Sequence, residues 1–152
     1  MLDGIAPNGG SLGGSINLVP KRAGAEPVTR FTTSFSGESQ LGGHLDIGCR
    51  FGQDDRYGIR LNTSYSNGNT GVDGEKIKKA ATMLSFDMRK ERFRGYIDLG
   101  YQKIIENGPT TVLRLDNYAF VPKAPKSDFN FNAPWSRADN DLAFGVIKGE
   151  YD

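Results

Sequence analysis

Leu41-Gly42-Gly43-His44-Leu45-Asp46-Ile47-Gly48-Cys49-Arg50-Phe51 is followed, after five residues, by Tyr57-Gly58-Ile59-Arg60-Leu61-Asn62-Thr63-Ser64-Tyr65-Ser66. Successive side chains of a strand point to opposite faces. Read at period two, Leu41, Leu45, Ile47, Cys49 and Phe51 share one face with Gly43, and His44, Asp46 and Arg50 share the other with Gly42 and Gly48. Tyr57, Ile59, Leu61, Thr63 and Tyr65 then oppose Gly58, Arg60, Asn62, Ser64 and Ser66. A helical period would mix the two classes on every face, so both runs are read as strands.

The same period extends outward. Upstream, Thr29, Phe31, Thr33 and Phe35 oppose Arg30, Thr32, Ser34 and Ser36. Downstream, Ala80, Thr82, Leu84, Phe86 and Met88 oppose Ala81, Met83, Ser85, Asp87 and Arg89. Phe93, Gly95, Ile97, Leu99 and Tyr101 oppose Arg94, Tyr96, Asp98, Gly100 and Gln102. A weaker sixth run sets Ala143, Gly145, Ile147, Gly149 and Tyr151 against Lys148, Glu150 and Asp152.

Runs of about ten residues suit a tilted strand crossing a bilayer, which needs ~9–11 residues; soluble strands average nearer ~5–6. Phe51, Tyr57, Tyr65, Phe93 and Tyr101 stand at run ends on the apolar face, where a membrane barrel carries its aromatic girdles. Aromatic residues also favour strands in general. Connections 52–56 and 90–92 are short, whereas 68–79 and 103–142 are long, the alternation of short periplasmic turns and longer external loops. Connection 37–40 is short as well and decides nothing. Arg30, Asp46, Arg50, Arg60, Asp87, Arg89, Arg94 and Asp98 share the polar faces. An arginine facing lipid at mid-membrane costs ~2–4 kcal/mol, so these faces must meet a wet interior. The expected fold is all-β: a partial antiparallel transmembrane β-barrel of about six strands, the first rising from the periplasm.

Composition narrows the function. In 152 residues, 37% hydrophobic content and 20 glycines are lean for a packed globule, and 11% aromatic content is wrong for disorder. Nineteen basic against 18 acidic residues, a net charge of +1, leave no footprint for nucleic acid. One cysteine and one histidine exclude a disulfide framework and a cysteine or histidine zinc site. On its polar face His44 reads as a plain wet-side residue, and Cys49 as a small hydrophobe. The glycines at 9, 10, 13 and 14 lack the spacing and following helix of a phosphate cradle, and Asp54-Asp55 reads as turn chemistry. No grouping of acid, base, nucleophile or metal ligands supports an enzyme. No run approaches the ~20 apolar residues of a membrane helix. Met1-Leu2-Asp3-Gly4-Ile5-Ala6 has no export signal, so the expectation is a start within a longer reading frame.

The two ends carry the more specific motifs. Gly13-Gly14-Ser15-Ile16-Asn17-Leu18-Val19-Pro20-Lys21-Arg22 alternates like a short strand over 15–19, stops at Pro20, and leads through a linker to Glu26-Pro27. Near the other end, Pro134-Trp135 precedes Gly145-Val146-Ile147-Lys148-Gly149-Glu150-Tyr151-Asp152. Taken in order, these segments resemble TonB-dependent siderophore receptors, with the ferrichrome-type receptors the nearest subgroup.

The resemblance implies that residues 1–26 are the C-terminal end of a plug domain with its linker, a plug remnant, and that 27–152 are the N-terminal part of the transmembrane barrel. It implies the outer membrane of a Gram-negative bacterium, contact with outer-membrane lipid, and a ferric siderophore bound from outside. Uptake would be driven by the TonB complex through an N-terminal part this sequence lacks. No cofactor is implied, because the siderophore ligates the iron. Large transporters have ~22 strands, so about six make a fragment expected to be inactive alone. Lys21 and Arg22 are candidates for ionic contacts between plug and barrel, or else two solvated charges before a linker. Arg114, Tyr118, Phe120, Trp135 and Arg137 in the long external connection are candidates for stacking on and neutralising an anionic siderophore complex; the alternative is packing within the loop. The rival readings are a small outer-membrane barrel or autotransporter-like adhesin segment, and a soluble lipocalin-like binding module.

Overall fold

The computed structural model of the chain describes residues 19–111 and 123–151. Six strands follow one another: β1 (Val28–Ser36), β2 (Gln40–Phe51), β3 (Tyr57–Asn69), β4 (Lys76–Lys90), β5 (Phe93–Asn107) and β6 (Arg137–Tyr151). They form one open antiparallel sheet in sequence order, with β1 and β6 as its edges. Among the described residues there is no α-helix; a single 3-10 turn, Gln53–Asp55, joins β2 to β3.

The register keeps the apolar set of every strand on one side. Ile47 pairs with Leu61, Leu61 with Leu84, Leu84 with Leu99 and Leu99 with Gly145, a continuous row across β2 to β6. On the other side Arg60 pairs with Ser85, Ser85 with Asp98 and Asp98 with Val146. A slip of one residue at any pairing would exchange the two faces, so the hydrophobic pattern and the turns fix the register together. Turn chemistry is local. Asp54 and Asp55 adopt positive φ of 54° and 50°, a conformation that short polar side chains tolerate, and so return β2 into β3. Lys90 pairs directly with Phe93, leaving a two-residue turn.

Strand lengths depart from expectation at one end. β4 begins at Lys76 rather than Ala80, β5 runs on to Asn107, and β6 begins at Arg137 rather than near Ala143. The long connections therefore shrink to 70–75 and 108–136, and Arg137 is a strand residue. The reason is backbone pairing that outlasts the apolar pattern. Polar residues such as Lys76 and Asn107 pair across strands without having to bury anything.

Packing inverts the usual arrangement. Ala23 is the one buried hydrophobic residue among those described, whereas Asp46, Ser85, Asp87 and Asp98 are all buried. The large apolar side chains Phe31, Ile47, Ile59, Leu99 and Ile147 are exposed on the outer face.

Candidate functional site: a strap clasped to the charged inner face

Three buried aspartates define the site. Asp46 on β2, Asp87 on β4 and Asp98 on β5 point to the inner face, and each meets an arginine. Arg60 of β3 grips Asp46 through two bonds of 2.8 Å, Nε to Oδ1 and Nη2 to Oδ2. Arg50 of β2 donates to Asp87 through Nη2 at 2.7 Å and Nη1 at 3.3 Å, with only 4% of its side chain exposed. Arg89 approaches the same carboxylate at 3.4 Å. Asp98 is gripped by Arg22, which comes from outside the sheet: both guanidinium Nη atoms donate to its carboxylate, Nη2 at 2.6 Å. Paired, two-pronged contacts of this kind make buried carboxylates tolerable.

Residues 21–23 cross this face as a strap. Lys21 Nζ donates to Asp46 at 3.4 Å, and Arg22 lies over the Tyr96 ring at 4.9 Å. The strap backbone is held from the sheet side as well. Arg60 Nη1 donates to the Arg22 carbonyl at 2.8 Å, and Arg50 Nη1 to the Ala23 carbonyl at 3.1 Å. Both arginines therefore bind a carboxylate of the sheet and a carbonyl of the strap at once. Arg50 also ties the β2–β3 turn, donating to the Asp55 carbonyl at 2.8 Å. Glycine supplies the room: a Cβ at Gly58 would stand 2.5 Å from Asp87 Oδ1 and 2.6 Å from Arg50 Nη1. Even alanine there would push the pair apart.

A cleft of about 1040 Å³ opens beside the strap, lined by His44, Asn62, Met83, Phe144, Val146 and Lys148 among others. The inner face of β6 is thus more apolar than its Lys148 and Glu150 suggest. Asn62 Oδ1 is buried with no hydrogen-bond partner.

At the long-connection end, loops 70–75 and 108–136 are tied together. Asn130 Nδ2 donates to the Gly108 carbonyl at 2.7 Å and to the Asp73 carbonyl at 3.1 Å. Asp73 N–H donates to the Asp128 carbonyl at 2.7 Å. The Glu75 carboxylate accepts from the Thr70 hydroxyl and from the Thr110 amide and hydroxyl. The Thr70 hydroxyl is the largest influence holding its carboxyl below the ordinary glutamate range, against partial burial; the Thr110 donors add to it.

Of the residues singled out from sequence, Lys21 and Arg22 stand in the strap and make ion pairs with the sheet. Trp135 lies in the loop at 85% exposure, and Arg137 opens β6 paired with Asp139 at 3.0 Å. Arg114, Tyr118 and Phe120 lie outside the described residues. His44 sits on the inner face beside Asn62, and Cys49 is exposed on the outer face. Sequence reasoning placed Asp46, Arg50, Arg60, Asp87 and Asp98 on the right face but did not pair them. It also missed the exposed ring pair of Phe129 and Phe131, whose centroids are 5.0 Å apart; the spacing of two in Phe129-Asn130-Phe131 was the available signal.

Fold and site define a class: an open all-β sheet, apolar on one face and charged on the other, that clasps a strap of its own chain. No protein-family model matches the chain. It is 37% identical over 151 residues to the ferrichrome receptor FcuA of Yersinia enterocolitica, a match covering 99% of this chain and 20% of that receptor. Its fold is similar to BauA, the ferric preacinetobactin receptor of Acinetobacter baumannii, with a TM-score of 0.84 and 30% identity over 87% of this chain and 20% of BauA. The chain spans about one fifth of the length of each of these two receptors.

Proposed function

We propose that the chain forms part of the barrel wall of an outer-membrane receptor that takes up ferric siderophores. In this reading residues 27–152 are the N-terminal part of the transmembrane barrel, and residues 1–26 are the end of the plug domain with its linker. The carrying observation is the inverted packing: large apolar side chains exposed on one face, ion-paired aspartates buried on the other. Such a sheet suits lipid outside and a filled, wet lumen inside. The similarity to two siderophore receptors supplies the cargo class.

The Lys21 and Arg22 ion pairs with Asp46 and Asp98 then join plug to barrel at the point where the chain passes from one to the other. The siderophore complex meets the long-connection end, with Arg114, Tyr118, Phe120, Trp135 and Arg137 as the contributing side chains. TonB supplies the energy through the plug, and iron travels as cargo within its siderophore. No step of bond making is required of the protein.

The test is uptake of radiolabelled ferric hydroxamate siderophore by cells lacking their own receptors and expressing the full receptor that carries this segment. Uptake that disappears on deleting residues 28–151 is the expected result. Accumulation of the receptor as a soluble protein, with no uptake, would overturn the reading.

A further inference from the structure

The inner face is not balanced in charge along its length. Arg89 pairs with Arg94 across β4 and β5, and Arg94 with Glu150 of β6. On the other side the Arg89 N–H donates to the Arg56 carbonyl at 2.9 Å, which continues the register of Tyr57 with Met88. Three arginines therefore stand side by side in one cross-strand row at the short-turn end. A row towards the long connections, Ser66, Lys79, Ile104 and Asn140, holds one cation.

Deeper on the same face carboxylates and arginines are matched, Asp46 with Arg60 and Asp98 with Arg22. At the short-turn rim cations are in excess. Over 54–56 and 89–94, five cations meet three carboxylates. The two inner-face carboxylates beside the row are shared with other cations: Arg50 holds Asp87 at 2.7 Å while Arg89 stands at 3.4 Å, and Lys148 holds Glu150 at 2.5 Å. Like charges set directly opposite one another destabilise a sheet, so folding does not account for the row. Arg56, Arg89 and Arg94 line one hollow of about 350 Å³, completed by Asp54, Lys90 and Glu91. Arg89 and Arg94 are exposed in it.

We propose that Arg56, Arg89 and Arg94 form a docking row for an acidic, extended peptide segment of a protein on the periplasmic side. The inference rests on the receptor reading above, in which the short turns face the periplasm. The same face already holds an extended segment through arginine, since Arg60 and Arg50 donate to strap carbonyls at 2.8 and 3.1 Å. Side chains of one row stand ~5 Å apart on neighbouring strands, so the three arginines span about 10 Å. A small anion bridges one pair of them. An extended peptide presents carboxylates on one side every ~6.6 Å and engages the whole row. Each guanidinium fork matches a carboxylate, which favours an acidic side chain over a neutral one.

The test measures fluorescence anisotropy of a fluorescein-labelled peptide of alternating Glu and Thr on the full receptor carrying this segment, held in detergent. The peptide is expected to bind, and its counterpart with Gln in place of Glu to bind at least about tenfold more weakly. Arg56→Gln/Arg94→Gln should lose about tenfold in affinity for the acidic peptide, and Lys79→Gln should leave it unchanged. Arg94→Lys keeps the charge and the fold and places an amine in the row, to which carbodiimide should couple the bound peptide. Equal binding of the two peptides, an equal loss with Lys79→Gln, or coupling confined to other lysines would overturn the proposal. So would complete displacement by inorganic phosphate at the peptide's own concentration, the mark of an ordinary anion site. Absent binding by a receptor that still takes up ferric siderophore would overturn this inference alone. A receptor that neither binds the peptide nor enters the outer membrane would overturn the receptor reading with it.

Discussion

The inner and outer faces of the sheet receive alternate residues of the same six strands, yet they solve burial in opposite ways. On the inner face, Asp46, Asp87 and Asp98 are covered, each held by an arginine, and the strap seals two of the three sites. On the outer face, Ile47, Leu99 and Ile147 are exposed at 38%, 52% and 83%. Charge is hidden where a water-soluble sheet would hide leucine. The contrast makes sense if the outer medium is apolar and the inner one is a network of paired charges. Each half of that statement can be broken separately.

The largest effect is expected from the inner network. Arg50→Met removes the principal partner of Asp87 and leaves, among the described residues, Arg89 at 3.4 Å. Stranding a buried carboxylate costs ~3–5 kcal/mol, readable as a shift in the denaturant midpoint of the detergent-folded receptor. Arg50→Met combined with Asp87→Leu should recover most of the loss, because the uncompensated charge goes with its partner. A single variant within about 1 kcal/mol of wild type would mean that water already solvates Asp87, and the inner half of the contrast would fail.

On the outer face the informative change is Leu99→Arg, in the row shared with Leu61, Leu84 and Gly145. Near mid-membrane an outward arginine costs ~2–4 kcal/mol. On a water-facing surface the same change stays within ~0.5 kcal/mol. Folding titrations into lipid vesicles measure the difference, and a value near zero would put water on the outer side.

The contrast between faces was legible in the sequence, and the pairing was not. Alternation in Leu41 to Phe51 and in Tyr57 to Ser66 assigns every side chain to a face without knowledge of any partner, because strand geometry alone imposes period two. Arg22 and Asp98 meet across 76 positions, and that contact requires the register of four hairpins to be known first. The strand extensions at 76–79, 103–107 and 137–142 were missed for a different reason: backbone pairing beyond the apolar band leaves no alternating hydrophobic signature. The strap itself was signalled only by Lys21-Arg22 preceding a linker, and two charges before a linker are equally at home in water.

The smallest effect belongs to the loop end, which should respond to acid independently of both faces. The Glu75 carboxyl is held below its ordinary range chiefly by the Thr70 hydroxyl, and further by the Thr110 amide and hydroxyl. A folded-state pKa below the unfolded one gives stability that is fully present above the unfolded value, near ~4.3 for glutamate, and lost as pH falls through the folded value. The amide of Thr110, which donates to Glu75, and that of Val72, which donates to the Thr70 hydroxyl, should therefore lose hydrogen-exchange protection, corrected for intrinsic rates, between neutral pH and the acid range. Glu75→Gln should lower that protection at neutral pH and flatten its pH dependence. Because Glu75 bonds only within the loops and lies far in sequence from the strap, the global unfolding midpoint of Glu75→Gln should stay close to wild type at neutral pH. A drop in that midpoint as large as the one from Arg50→Met would mean that loop end and inner network unfold as a single unit, and that the division of this molecule runs elsewhere than between its two faces.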